Sequence, residues 1–174
     1  MQRYNRRPSV ITIAGAALLT LNVTAFAHDD LEARLRPFSE VPSVSSGASG
    51  RFKADIDERG NAISYQLSYT GLEGDVRQAH IHIGQKGVNG GVMVFLCQTS
   101  FNPDPTGLAP TCLQSGTVQG TIRAANVTGL AAAQGIEAMQ FAEVIAAIRG
   151  GVAYVNVHST KFLGGEIRGQ LRED

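Results

Sequence analysis

The chain has 174 residues, 15 of them basic and 15 acidic, with four histidines and two cysteines. Its apolar fraction of 43% suits a globular protein, and the balanced charge excludes a general nucleic-acid or anionic-membrane role, which calls for a basic excess. The length is that of one ordinary domain with room for a core.

Arg3, Arg6 and Arg7 form a basic start, residues 10–21 are apolar apart from Thr12, Gly15 and Thr20, and Ala25-Phe26-Ala27 has the small-x-small pattern of a signal-peptidase site. The apolar run is about a dozen residues where a bilayer span needs ~20, and His28-Asp29-Asp30 follows it directly. Residues 1–27 therefore read as a cleavable secretory signal and residues 28–174 as one exported β domain, secreted or periplasmic, with no membrane span after cleavage. Cleavage removes three arginines and no acids, which leaves 12 basic against 15 acidic residues, a net charge near −3. The Arg6-Arg7 pair raises the twin-arginine export route and Pro8-Ser9 argues against it, so the route stays open.

Short alternating segments dominate the rest. Residues 31–36 open the series; Phe52, Ala54 and Ile56 then alternate with Lys53, Asp55 and Asp57, and Ile63, Tyr65, Leu67 and Tyr69 with Ser64, Gln66 and Ser68. Period two marks half-buried strands, and the polar Asp57-Glu58-Arg59-Gly60-Asn61 between the last two reads as a hairpin turn with a glycine to take positive φ. Asp55 and Asp57 on one strand face read as a solvated edge rather than a catalytic pair. Further strands are expected at 76–83, 92–97, 116–123, 152–157 and 166–171.

Residues 98–111 carry Pro103, Pro105 and Pro110 and read as a surface loop flanked by Cys97 and Cys112. An exported chain with two cysteines and no CxxC spacing is expected to pair them, the alternatives being free thiols or metal ligands. In residues 131–149, Ile136, Phe141, Ile145 and Ile148 recur near helical spacing, with Arg149-Gly150-Gly151 as a basic end and glycine stop. The fold class is mostly β, an antiparallel sandwich or barrel of about eight strands with one helix near the C-terminal third.

His80-Ile81-His82 lies within a strand, so both imidazoles leave one face about 6 to 7 Å apart while Ala79, Ile81 and Ile83 turn to the core. His158 ends the segment Tyr154-Val155-Asn156-Val157-His158 and shares a face with Asn156 and Tyr154, so it joins the pair if the two strands are neighbours. Taken alone the pair reads first as structural, its rings bonded to loop backbone around the turn at 84–91. Clustered neutral imidazoles outside the cytoplasm also suit copper or zinc, and a site requires their nitrogens to converge within ~4 Å around an ion. His28, N-terminal after cleavage, would offer an amine and an imidazole, as in the copper monooxygenases that attack polysaccharides. No G-x-S-x-G elbow, phosphate-binding glycine loop or H-E-x-x-H occurs, which leaves hydrolase and nucleotide readings without support.

Segments 35–42 (LRPFSEVP), 63–72 (ISYQLSYTGL), 79–84 (AHIHIG), 90–97 (GGVMVFLC), 154–158 (YVNVH) and 164–171 (GGEIRGQL) resemble, in order and spacing, the chordin-domain (CHRD) family of secreted β modules. The resemblance covers most of residues 28–174 and is closest to the single-domain bacterial type. It implies a compact antiparallel domain without established enzymatic activity, whose animal members bind secreted growth factors. A looser resemblance is to copper-zinc superoxide dismutase, another exported β-sandwich with an H-x-H pair and one disulfide. After His80 and His82 this chain offers only His158, too few histidines for a bridged zinc site, so a dinuclear centre is not expected. The first functional expectation is a monomeric, non-enzymatic binding or structural module for an extracytoplasmic protein or small ligand. The second is a mononuclear copper or zinc protein, redox-active with copper, using His80, His82 and His158 with His28 as an outside candidate.

Overall fold

The computed structural model describes residues 1–2, 29–57, 59 and 61–173. Residues 3–28, which hold nearly all of the segment read as a secretory signal together with His28, lie outside the described residues. The strands are β1 (Asp29–Leu35), β2 (Ser49–Asp57), β3 (Ala62–Thr70), β4 (Val76–Ile83), β5 (Val92–Cys97), β6 (Gly116–Ile122), β7 (Ala153–Ser159), β8 (Ile167–Gln170) and β9 (Arg172–Glu173). They form two antiparallel sheets, ordered β6-β3-β2-β1-β9 and β5-β4-β7-β8. Of the sandwich and barrel alternatives the sandwich is found: among the described residues a single bridge links the sheets, at one edge, where Arg36 and Arg168 exchange backbone hydrogen bonds of 3.0 and 3.2 Å.

The five-stranded sheet follows the period-two reading. Phe52, Ala54 and Ile56 of β2 pair with Leu67, Tyr65 and Ile63 of β3, all buried, while Lys53, Ser64, Gln66 and Ser68 stay on the open face. Full burial of a side chain such as Phe52, Ile63 or Leu67 contributes roughly 1.5–3 kcal/mol. The β2–β3 turn carries its positive φ at Asn61 (47°); Gly60, the residue singled out for this, lies outside the described residues. The four-stranded sheet is different, since every residue of β7 is buried. Ala153, Val155 and Val157 face the core with Ala79 and Ile81 of β4, and the opposite face lies under loops.

The helix predicted over 131–149 is shorter. The α-helix α1 spans Phe141–Arg149, and residues 131–140 hold a 3₁₀ turn at Ala132–Gln134 closed by Gly135 in the left-handed region (φ 87°), then a second reversal at Met139 (φ 70°). Two positive-φ residues cannot sit inside an α-helix. Ile136 is buried as the periodicity required, but through a bridge to Ala131. At its far end α1 stops as expected, with the Gly150 N–H bonded to Ala146 O at 2.8 Å and Gly151 at φ 68°. Arg149 reaches Glu173 of β9 at 3.8 Å.

Cys97 and Cys112 form a disulfide with Cα atoms 4.9 Å apart. The loop between them is organised by Asp104, whose buried carboxylate accepts the N–H groups of Thr106, Leu108 and Ala109. Because the bridge closes a loop of 15 residues, the Cys97→Ala/Cys112→Ala protein is expected to unfold with about 3 kcal/mol less stability. Urea unfolding beside the oxidised wild type checks this.

Candidate functional site

The outer face of the four-stranded sheet carries a buried polar layer. Antiparallel pairing of β4 with β7 sets His80 opposite Asn156, His82 opposite Tyr154 and Gln78 opposite His158, so the adjacency on which a three-histidine cluster depended is met. On the other side of β7, Arg168 of β8 stands opposite Asn156. His80, His82, Tyr154, Asn156, His158 and Arg168 are all less than 8% exposed.

Two loops close over this layer, each held by its polar side chains, and a third brings in Glu40. His82 Nδ1 lies 2.9 Å from Gly90 O in the loop between β4 and β5, and His158 Nδ1 lies 2.9 Å from Leu163 O in the loop between β7 and β8. Arg168 donates to Asn89 Oδ1 at 3.0 Å and to the carbonyls of Val88 at 2.8 Å and Gln85 at 3.3 Å, with its guanidinium 3.4 Å from the centre of the Tyr154 ring. Tyr154 stacks in turn on His82, at 4.7 Å and 7°. Glu40, from the loop after β1, is 4% exposed and packs so closely on Gly165 that a Cβ there would collide with its Oε1.

The three rings draw together. One ligand nitrogen from each lies within 4.8 Å of the others, wider than the ~4 Å that a formed site requires. His80 Nδ1 is 3.2 Å from His158 Nε2, which is 3.0 Å from Asn156 Oδ1, and Phe95 meets the His80 ring edge-on at 4.3 Å. The Nε2 atoms of His80 and His82 are buried without a hydrogen-bond partner, as is Glu40 Oε1. The expected bonding of the rings to loop backbone is thus present, with acceptor atoms left over. His28 lies outside the described residues.

Burial keeps the rings neutral. The His80 pKa lies well below the usual imidazole value because burial, and then its neighbours His158 and His82, oppose a charge. His82 is held down to about 4, chiefly by burial, and His158 is lowered by burial against the pull of the Leu163 carbonyl. Burial pushes Glu40 up to about 7 despite Arg168. Unfolded imidazoles take up protons near pH 6.5, so below that the unfolded chain binds more protons on these rings, for His82 down to about 4, and the stability they contribute is lost as pH falls. Glu40 acts in the opposite sense between 4.5 and 7, one group against three. The melting temperature of the metal-free protein is therefore expected to fall from pH 7 to pH 5. Calorimetry across that range checks it, and a rising profile would show that the rings are not sealed from water.

Glu40, Asn156, Arg168 and Phe95 were not singled out as site residues in the sequence. Strand parity could have added Asn156, and the segments LRPFSEVP and GGEIRGQL contain Glu40 and Arg168.

A two-sheet antiparallel sandwich with one disulfide, carrying a histidine layer sealed beneath loops, defines a small stabilised β module. A model of the CHRD domain matches residues 31–171, and the chain belongs to the CHRD-domain family. Comparisons with curated proteins and with solved structures found no match.

Proposed function

We propose that this chain is exported, loses residues 1–27 and works outside the cytoplasm, secreted or periplasmic, as a monomeric, non-enzymatic CHRD-type binding or structural module. The observation that carries this reading is the closure of the polar layer. Its most reactive side chains, His80, His82 and His158, are 2, 7 and 6% exposed, which shuts an organic substrate out while leaving the outer surfaces free for an extracytoplasmic protein or small ligand. Family membership supports the module, and the disulfide supports an oxidising compartment. Among the described residues no helix is long and apolar enough to cross a membrane. Expression of the full chain followed by N-terminal sequencing tests export: a protein outside the cytoplasm starting at His28 is expected, and a cytoplasmic protein starting at Met1 would overturn it.

The unpartnered Nε2 atoms of His80 and His82 favour a second reading, a mononuclear copper or zinc protein using these residues with His158. Under it the metal-free protein takes up one Cu(II) or Zn(II) near neutral pH, and His82→Ala loses that uptake while keeping its fold. Under the first reading the same substitution lowers stability and changes no metal binding. Calorimetric titration of both proteins with each metal, beside a thermal melt of each, decides between them.

A further inference from the structure

Fixed carbonyl acceptors set two of the three histidine tautomers. His158 Nδ1 faces Leu163 O and His82 Nδ1 faces Gly90 O, each at 2.9 Å, so both rings carry the proton on Nδ1 and a lone pair on Nε2. The His82 lone pair is buried without a partner. That of His158 meets His80 Nδ1 at 3.2 Å and Asn156 Oδ1 at 3.0 Å. The Asn156 amide nitrogen and the buried Glu40 carboxylate, an acceptor, both border Gly165, so the nitrogen lies on the Glu40 side and the oxygen is turned to the His158 ring.

The result is a concentration of lone pairs. His158 Nε2, His82 Nε2, Asn156 Oδ1 and a His80 nitrogen face one another in a closed space, with the single His80 proton to share. Two acceptors at 3.0 Å repel, and a second proton on His158 would create a buried imidazolium, which burial disfavours. A bound cation removes the conflict.

We propose that Asn156 Oδ1 is the fourth donor of a mononuclear divalent-metal site, completing a set of three nitrogens and one oxygen with His80, His82 and His158. This rests on the metal reading above. Imidazoles with one neutral oxygen, four donors in all, suit a first-row divalent ion, Zn(II) or Cu(II), rather than Ca(II) or Mg(II). Nitrogens bound at ~2.0–2.1 Å to one tetrahedral ion stand about 3.4 Å apart, close to the 3.2 Å between His80 Nδ1 and His158 Nε2. The widest separation in the cluster, up to 4.8 Å, exceeds what two such bonds can span and closes when the ion enters.

Zn(II) affinity by chelator competition and the visible spectrum of the Co(II)-loaded protein test this on the mature chain. The wild type is expected to bind one ion with a tetrahedral Co(II) spectrum. Asn156→Ala should bind at least tenfold more weakly with a changed Co(II) band, because water replaces the amide oxygen. Asn156→Asp, which keeps an oxygen at that position, should bind at least as tightly as wild type, and it carries the test if the alanine variant does not fold. If Asn156→Ala keeps wild-type affinity and spectrum, or folded Asn156→Asp binds more weakly than wild type, while His82→Ala loses the ion, the metal reading stands and the Asn156 assignment falls. If the wild type takes up no ion, both fall, and the amide sits reversed, with its nitrogen on His158 and the proton on Glu40.

Discussion

Val155→Asp is expected to lose at least 4 kcal/mol of stability, a large share of the roughly 5–15 kcal/mol that holds an ordinary domain folded. Val155 is fully buried at the middle of β7, paired with Ile81 on one side and Gly169 on the other, and its side chain belongs to the core between the sheets. An aspartate there loses the apolar burial and must either hold an unpaired charge in the core or stay protonated without a hydrogen-bond partner. The same change at Gln66, on the open face of β3, is expected to stay within about 0.5 kcal/mol. Urea unfolding of the two variants makes the comparison, and equal midpoints would show that β7 is not an interior strand.

Arg168→Leu is expected to cost about 3 kcal/mol or more, since each of the three acceptors it leaves without a donor costs about 1–3 kcal/mol when buried. Arg168 is 2% exposed, and its guanidinium holds the β4–β5 loop through three hydrogen bonds, covers the Tyr154 ring and faces buried Glu40. Leucine leaves those acceptors without a donor and Glu40 without its compensating cation. Adding Glu40→Gln should recover part of the loss, so the double-mutant cycle is expected to show a coupling energy above about 0.5 kcal/mol. Strictly additive effects would show that the two side chains do not interact.

The strands were legible where one face is wet. β2 and β3 alternate because their sheet packs on one side only, and the hairpin between them was visible for the same reason. β7 was legible by another signal, a near-continuous apolar run, because the loops bury its second face. The helix was overextended because Ile136 fits a period of 3.6, whereas the two left-handed residues that end it early are decided by backbone packing. The histidine pair was legible by parity within one strand. The placing of His158 was not, since pairing between strands far apart in the chain leaves no local pattern, and Glu40 enters from a loop with no period at all.

The polar layer also has a meaning for how the chain is made. Its bonds join distant positions: His80 to His158 spans 78 residues, Arg168 to Asn89 spans 79 and Gln170 to Gly84 spans 86. A chain emerging from the ribosome N-terminus first completes β1 to β6 with β7 and β8 still missing. Until they arrive, β4 presents a bare edge bearing the Ala-His-Ile-His-Ile stripe, the kind of surface on which unfinished chains stick together. The last eighth of the sequence thus acts as a stopper for the rest, and a ribosome stalled before residue 153 would release a sticky fragment lacking both the cover and the third histidine.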